Sequence, residues 1–229
     1  SVSAPLSADI HRQFAQRTGH AILERYGMTE TNMNTSNPYD GERIAGTVGL
    51  PLPGVSIRIA DPESGAPMPQ RDVGVIEIAG PNVFQGYWRM PDKTAAEFRD
   101  GHFISGDLGF IDPHGYVSIV GRAKDLIISG GYNIYPAEVE TALDELPQVH
   151  ESAIIGAPHP DMGEGVVAVI VPRDPAFADT AAIQEALTNR LARFKQPRRI
   201  FFVDALPKNT MGKVQKTVLR EQYQRSFLD

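Results

Sequence analysis

The pattern of apolar residues changes character at Gly121-Arg122, and that change governs what the chain can fold into. Upstream, short alternating runs dominate. Val55–Ile59 and Val73–Ile78, each bounded by Pro and Gly, predict half-buried strands of an antiparallel or barrel-like unit. Leu108–Ile111 and Tyr116–Val120, joined by Asp112-Pro113-His114-Gly115, predict a hairpin. A short helix over Asp9–Arg17, a buried strand over Ala21–Leu23 and a helix over Pro91–Phe98 with Pro at its start fill the remainder. Downstream, helical and strand periods alternate. Glu138–Leu146, begun by Pro136, Ala181–Phe194 and Thr217–Phe227 predict helices; Ser152–Ile155, Val166–Val171 and Ile200–Val203 predict strands. The expected fold class is α+β: a β-rich part first, then a small α+β unit from about residue 125.

Composition narrows the chemistry. With 229 residues, 41% of them hydrophobic, the chain can bury a full core. A net charge of −6 argues against a general nucleic-acid binder. There are no cysteines, so disulfides, thiolate catalysis and Cys-based zinc sites are excluded. The six histidines show no metal-ligand spacing. No apolar run is long enough to span a bilayer and no signal-peptide pattern opens the chain, so the expected compartment is the cytoplasm. The basic run from Arg190 to Arg225 reads as a solvated face, or else as a docking or anion-binding surface.

Four segments carry side chains suited to chemistry, and each has a plain structural reading beside it. In Glu24–Thr31, Thr29 can donate to a phosphate oxygen and Glu30 is a hard oxygen ligand suited to Mg²⁺; alternatively the segment is a polar turn. In Ser105-Gly106-Asp107-Leu108-Gly109 the Asp107 carboxylate can accept two ribose hydroxyl protons, or close an Asx-turn. In Val120–Glu140, Arg122 offers a fork of donors and Gly130-Gly131 permits close approach of a ligand; equally, it is a glycine-punctuated interdomain turn. In Leu206–Lys216 a polar, glycine-containing loop presents Lys213, a position where lysine is ordinarily solvated. That loop is no Walker loop, because Val214 follows Gly212-Lys213 and the upstream glycine is missing.

In this order and at these separations the four segments resemble the adenylate-forming superfamily of acyl-CoA synthetases, peptide-synthetase adenylation domains and luciferases. The resemblance spans essentially the whole chain and implies roles for particular residues. Ser3, Ala4 and Pro5 would line an adenine pocket, with Tyr26 against the adenine and Gly27 beside it. Thr29 would contact phosphate and Glu30 hold magnesium. Asp107 and Arg122 would hold the ribose, Lys124 would be the hinge, and Gly130 and Gly131 would line the coenzyme A tunnel. Lys213 would bridge the acyl carboxylate and the α-phosphate. Residues 1–123 would then be the C-terminal part of the large adenylation domain and 124–229 a small mobile domain, with ATP, Mg²⁺ and coenzyme A as substrates and cofactor.

Within that superfamily, Glu24–Thr31 followed by Asn37–Arg43 and Gly46–Gly49 looks like malonyl-CoA synthetases. Arg25 stands where relatives that take aromatic acids commonly carry glycine. A guanidinium there implies a second carboxylate on the substrate, hence malonate, with methylmalonate tolerated; pairing with Glu24 is the alternative. The superfamily's upstream phosphate loop is absent, so the expectation is a portion of a longer ligase that does not turn over alone. Alternatives are a ligase for another short-chain acid, or an inactive module whose Lys213 is acetylated by a lysine acetyltransferase docked on the basic run.

Overall fold

The computed structural model describes residues 6, 8–210 and 212–228, so Ser3, Ala4 and Pro5 lie outside the described residues. The chain divides into two compact units, 1–123 and 124–229.

In the first unit, α1 (Ala8–Thr18) precedes a three-stranded antiparallel sheet of β1 (Arg25–Met28), β2 (Asn32–Ser36) and β3 (Leu50–Pro51). A five-stranded antiparallel sheet follows. It is built from β4 (Ser56–Ala60), β5 (Gly74–Ala79), β6 (Phe98–Arg99), β7 (His102–Ile111) and β8 (Val117–Arg122), with α2 (Pro91–Ala96) before β6. Val48 N–H donates to the Val117 carbonyl at 2.8 Å and Val117 N–H to Gly49 at 2.9 Å, tying the end of the first sheet's loop to β8. Tyr26, Val48, Ile59, Ile76, Ile78 and Val117 form the core between them.

Two expectations fail here for local reasons. Ala21–Leu23 is not a strand. Its carbonyls serve side chains instead of a ladder: Arg43 donates to the Ala21 oxygen at 2.6 Å, and the His11 ring bonds the Ile22 oxygen at 2.9 Å. β5 is not half-buried but buried almost throughout, Glu77 included. Its carboxylate is tolerated because Arg58 Nε lies 2.7 Å from one oxygen and Arg99 lies 3.3 Å from the other.

In the second unit the sheet order is β10 (Tyr132–Ile134), β9 (Ile127–Ser129), β12 (Gly163–Pro172), β11 (Val149–His159), with β13 (Arg199–Phe202) parallel to β12. The helices are α3 (Pro136–Asp144), α4 (Thr180–Thr188) and α5 (Lys216–Tyr223). β12 is apolar from Val166 to Val171 because both of its faces are covered there. Val166, Ala168 and Ile170 meet the cluster containing Val139, Leu143, Ile183 and Leu187 of α3 and α4. Val167, Val169 and Val171 meet the cluster containing Leu219 of α5. The α+β expectation holds, with a sheet covered on two sides. α4 stops at Thr188, six residues short of the expected end, since Asn189 caps it and Ala192 leaves helical geometry. α5 likewise ends at Tyr223 instead of Phe227.

Among the described residues no helix is long and apolar enough to cross a membrane.

Candidate functional site

The first unit brings together three of its candidate residues, Tyr26 of β1, Asp107 of β7 and Arg122 of β8. β1 alternates: Glu24 before it is buried, Arg25 is exposed, Tyr26 is buried. The strand turns tightly through Thr29-Glu30-Thr31 into β2, and the turn needs Gly27. A Cβ there would run into the Asn32 carbonyl oxygen, and Asn32 itself takes a left-handed φ of 49°.

Tyr26 and Arg122 both reach the Asp107 carboxylate. On β7, Gly106 adopts φ 71°, and Ser105 Oγ accepts the Asp107 N–H at 3.1 Å while donating to the Ile76 carbonyl at 2.7 Å. The ladder sets Asp107 opposite Arg122 of β8. Arg122 Nε lies 2.7 Å from one carboxylate oxygen, and the Tyr26 hydroxyl donates to the other at 2.5 Å. Burial, and then the Asp107 charge, push the Tyr26 phenol far above its ordinary value, so it stays protonated as the donor. A carboxylate oxygen has two lone pairs and can accept from more than one donor. The arrangement suits two neighbouring hydroxyls.

Thr29 is exposed at the hairpin tip. Glu30 beside it is half-buried, and its Oε1 accepts the Tyr87 hydroxyl at 3.1 Å. Its other oxygen has no protein donor among the described residues. Tyr87 carries Lys93 Nζ over its ring at 4.0 Å, and its phenol is pushed up to about 12 by burial and by the Glu30 hydrogen bond. Tyr87 escaped the sequence reading because it lies 57 residues from Glu30 and outside all four segments. No group of three or more potential metal ligands occurs among the described residues.

Arg25 has an exposed guanidinium that no acid or carbonyl pairs with among the described residues. Glu24, the alternative partner, points inward: its Oε2 is buried without a hydrogen-bond partner among the described residues, and burial raises its carboxyl above its ordinary value. The nearby stretch Asn37–Arg43 is a brace. Asn37 Oδ1 accepts Ile44 N–H at 3.0 Å, and Arg43 donates to the Pro38, Tyr39 and Ala21 carbonyls.

The second unit opens with a short 3₁₀ turn, Ala123–Asp125, in which Lys124 is exposed and Asp125 meets Arg220 of α5 at 2.6 Å. Gly130 and Gly131 form the two-residue turn of the β9–β10 hairpin, with Ser129 paired to Tyr132. Their φ values of 58° and 82° are the two positive angles that such a turn requires. Lys213 is exposed, and Asn209 brackets its backbone: Lys213 N–H donates to Asn209 Oδ1 at 2.9 Å, and Asn209 N–H to the Lys213 carbonyl at 2.9 Å. The bracket was not legible as such, although Asn209 stands in the segment that drew attention.

The basic run is less free than the sequence suggests. Arg190, Lys195, Lys208, Lys216 and Arg220 pair with Glu145, Glu138, Glu151, Glu140 and Asp125 at 2.6–2.9 Å. Charge that looks one-sided along the chain is balanced by acids from elsewhere in the unit.

Residues 1–88 match the family described as AMP-binding enzyme, and residues 138–213 match AMP-binding enzyme C-terminal domain. ATP-bound MatB from Rhodopseudomonas palustris is 60% identical, with a TM-score of 0.96 over 99% of this chain and 45% of that one. Feruloyl-CoA synthase of Amycolatopsis is 42% identical, over 96% of this chain and 45% of its own length. Malonate–CoA ligase of Arabidopsis thaliana is 39% identical, over 96% of this chain and 38% of its own. The chain therefore spans less than half the length of the relatives it matches. Two family matches along one chain, and relatives alike over nearly all of it, lead to one assignment: the chain belongs to the AMP-binding enzyme family, the adenylate-forming superfamily.

Proposed function

We propose that the chain is the nucleotide-gripping and lysine-bearing part of an AMP-forming acid–CoA ligase whose acid is malonate, with methylmalonate as a tolerated analogue. The observation that carries the reading is the buried Asp107 carboxylate, oriented by Tyr26 at one oxygen and by Arg122 at the other. A carboxylate oriented in this way suits the hydroxyls of a ribose, and Arg122 at the rim can reach the same hydroxyls or a phosphate oxygen. Thr29 at the neighbouring hairpin tip supplies a hydroxyl to a phosphate. Glu30 fits a magnesium ion that arrives with the nucleotide, because such ions use one or two carboxylates plus phosphate oxygens, and one Glu30 oxygen is open. That ion would neutralise phosphate charge.

In the first half-reaction a substrate carboxylate oxygen bonds to the α-phosphorus, and the bond to the β,γ-pyrophosphate breaks. In the second the coenzyme A thiol loses its proton, its sulfur bonds to the acyl carbon, and AMP leaves. Only in the first does an anion attack a centre that itself bears anionic oxygens. A lysine ammonium about 4 Å from each, at an effective dielectric near 20, interacts by roughly 4 kcal/mol before desolvation. At about tenfold per 1.36 kcal/mol this reaches roughly a thousandfold in rate as an upper figure. Lys213 is the cation assigned to that task, Gly130-Gly131 the turn assigned to the pantetheine, and Lys124 the hinge between the two half-reactions.

The choice of malonate rests on Arg25 and on the MatB likeness. Relatives that are about equally similar take acids as different as ferulate and malonate by name, so overall identity does not select the acid. Arg25, a permanent cation with no protein partner among the described residues, favours a substrate with a second carboxylate. Pyrophosphate release by the full-length ligase, with malonate against butyrate, tests this. Arg25→Ala should lower the malonate-to-butyrate ratio by at least about tenfold, the loss of one charge-assisted hydrogen-bonded contact. An unchanged ratio refutes the assignment.

A further inference from the structure

Lys213 sits between two lysines that are not free, and the pattern of their partners has a function. Lys208 Nζ lies 2.6 Å from Glu151 Oε2 of β11, and Lys216 Nζ lies 2.7 Å from Glu140 Oε1 of α3. The same Glu140 oxygen accepts the Ile154 N–H at 2.8 Å, so its carboxylate is fastened to β11 as well. Both contacts are partly shielded, with side-chain exposures of 39% and 27% for the first pair and 18% and 20% for the second. Between them the backbone closes on itself. Lys208 bridges to Val214, and Gln215 N–H donates to the Pro207 carbonyl at 2.8 Å. A segment with a clamp at each stem and, near its tip, an ammonium that no acid pairs with among the described residues is suited to aiming that ammonium.

We propose that Glu151 and Glu140 are positioning residues for the adenylation half-reaction: through Lys208 and Lys216 they fix the two stems of the segment that presents Lys213. The inference rests on the reading of Lys213 given above. Neither acid need touch substrate. Each holds a lysine that would otherwise be solvated, and so limits the directions from which the Lys213 ammonium can approach two joining anions. A displacement of about 1 Å in such a group can lower a rate about a hundredfold. Loosening one of two clamps is a smaller perturbation.

The test uses the full-length ligase and reads the two half-reactions separately: pyrophosphate release from ATP and acid, and thioester formation from preformed acyl-adenylate. Glu151→Gln and Glu140→Gln should each lower kcat for pyrophosphate release about three- to tenfold, in line with partly shielded ion pairs. KM for ATP and the thioester rate should stay within about twofold. Lys208→Gln and Lys216→Gln remove the same contacts from the other side, with the acids left in place, and should show the same split. The exchange Glu151→Lys with Lys208→Glu should recover most of the lost rate. Equal losses in both half-reactions, or no loss in either, overturn the proposal. Lys213→Ala serves as the reference. If it leaves pyrophosphate release at the normal rate, the role of Lys213 itself is wrong, a failure distinct from that of its clamps.

Discussion

The Tyr26 hydroxyl and the Arg122 guanidinium occupy opposite oxygens of one carboxylate, that of Asp107, although the three residues are spread over nearly a hundred positions of the chain. Tyr26 is buried and Arg122 half-exposed, so one donor fixes the carboxylate from inside the core and the other from the rim. Tyr26→Phe removes only the inner donor. The hydrogen bond contributes about 0.5–1.5 kcal/mol, so KM for ATP in pyrophosphate release should rise roughly threefold to tenfold. The response to acid concentration should stay as in the parent.

Glu30 provides the second expectation. Glu30→Gln keeps an acceptor for Tyr87 but removes the negative charge. The magnesium concentration giving half-maximal pyrophosphate release should rise about tenfold, the effect of losing one charged ligand contact. Thermal stability should barely change, since the Tyr87 contact survives. A magnesium titration of both proteins decides it, and superimposable curves would exclude Glu30 from the metal.

A third follows from Asp144 of α3, an exposed residue whose carboxyl group turns to Ser152 of β11; partial desolvation there, with the neighbouring Glu140 charge adding to the rise, pushes it up from 3.8 to about 6. Between those two pH values the folded chain holds a proton that the unfolded chain has released. Stability therefore falls as pH rises from about 4 to about 6, then levels off. Asp144→Asn stays neutral and can still accept the Ser152 hydroxyl that now lies 2.7 Å from Asp144. The variant should gain on the parent across that window and keep a constant advantage above about pH 7. Urea midpoints at several pH values measure this; parallel curves would contradict it.

Gly27 gives the fourth. Gly27→Ala drives a methyl group into the Asn32 carbonyl, and the β1–β2 turn has no slack to absorb it. The expected loss is about 1–3 kcal/mol, as for other overpacked sites. Chemical denaturation of the chain reads it directly, and an unchanged midpoint would show that the turn can shift.

The legible parts of the fold were those in which one signal stood alone. Pro91 and Pro136 announced helix starts, and Asp112–Gly115 announced the β7–β8 turn. Strand β2 is not legible because Asn32–Ser36 is polar except for Met33; Asn34 and Thr35 are fully buried, and Thr35 donates to the Val48 carbonyl at 2.6 Å. Ala21–Leu23 misled for the opposite reason: apolar letters, but carbonyls taken by Arg43 and His11. The glycine pair at 130–131 read as a turn, whereas the strands on either side, three residues each, were too short to show a period. At the candidate site, residues adjacent in sequence could be grouped by motif. Contacts made across the fold, such as Tyr87 with Glu30 or Glu151 with Lys208, leave no trace in local spacing.

Asn209 holds both backbone polar groups of Lys213, so only the four-carbon stem of that side chain is left to move. Freezing that stem in one rotamer costs about 2 kcal/mol of conformational entropy. Ordering an unrestrained backbone would add about 1–2 kcal/mol for every residue fixed. The bracket thus settles part of the entropic penalty during folding, well before any ligand arrives. A lysine on a slack loop would meet that penalty anew with every molecule it engaged.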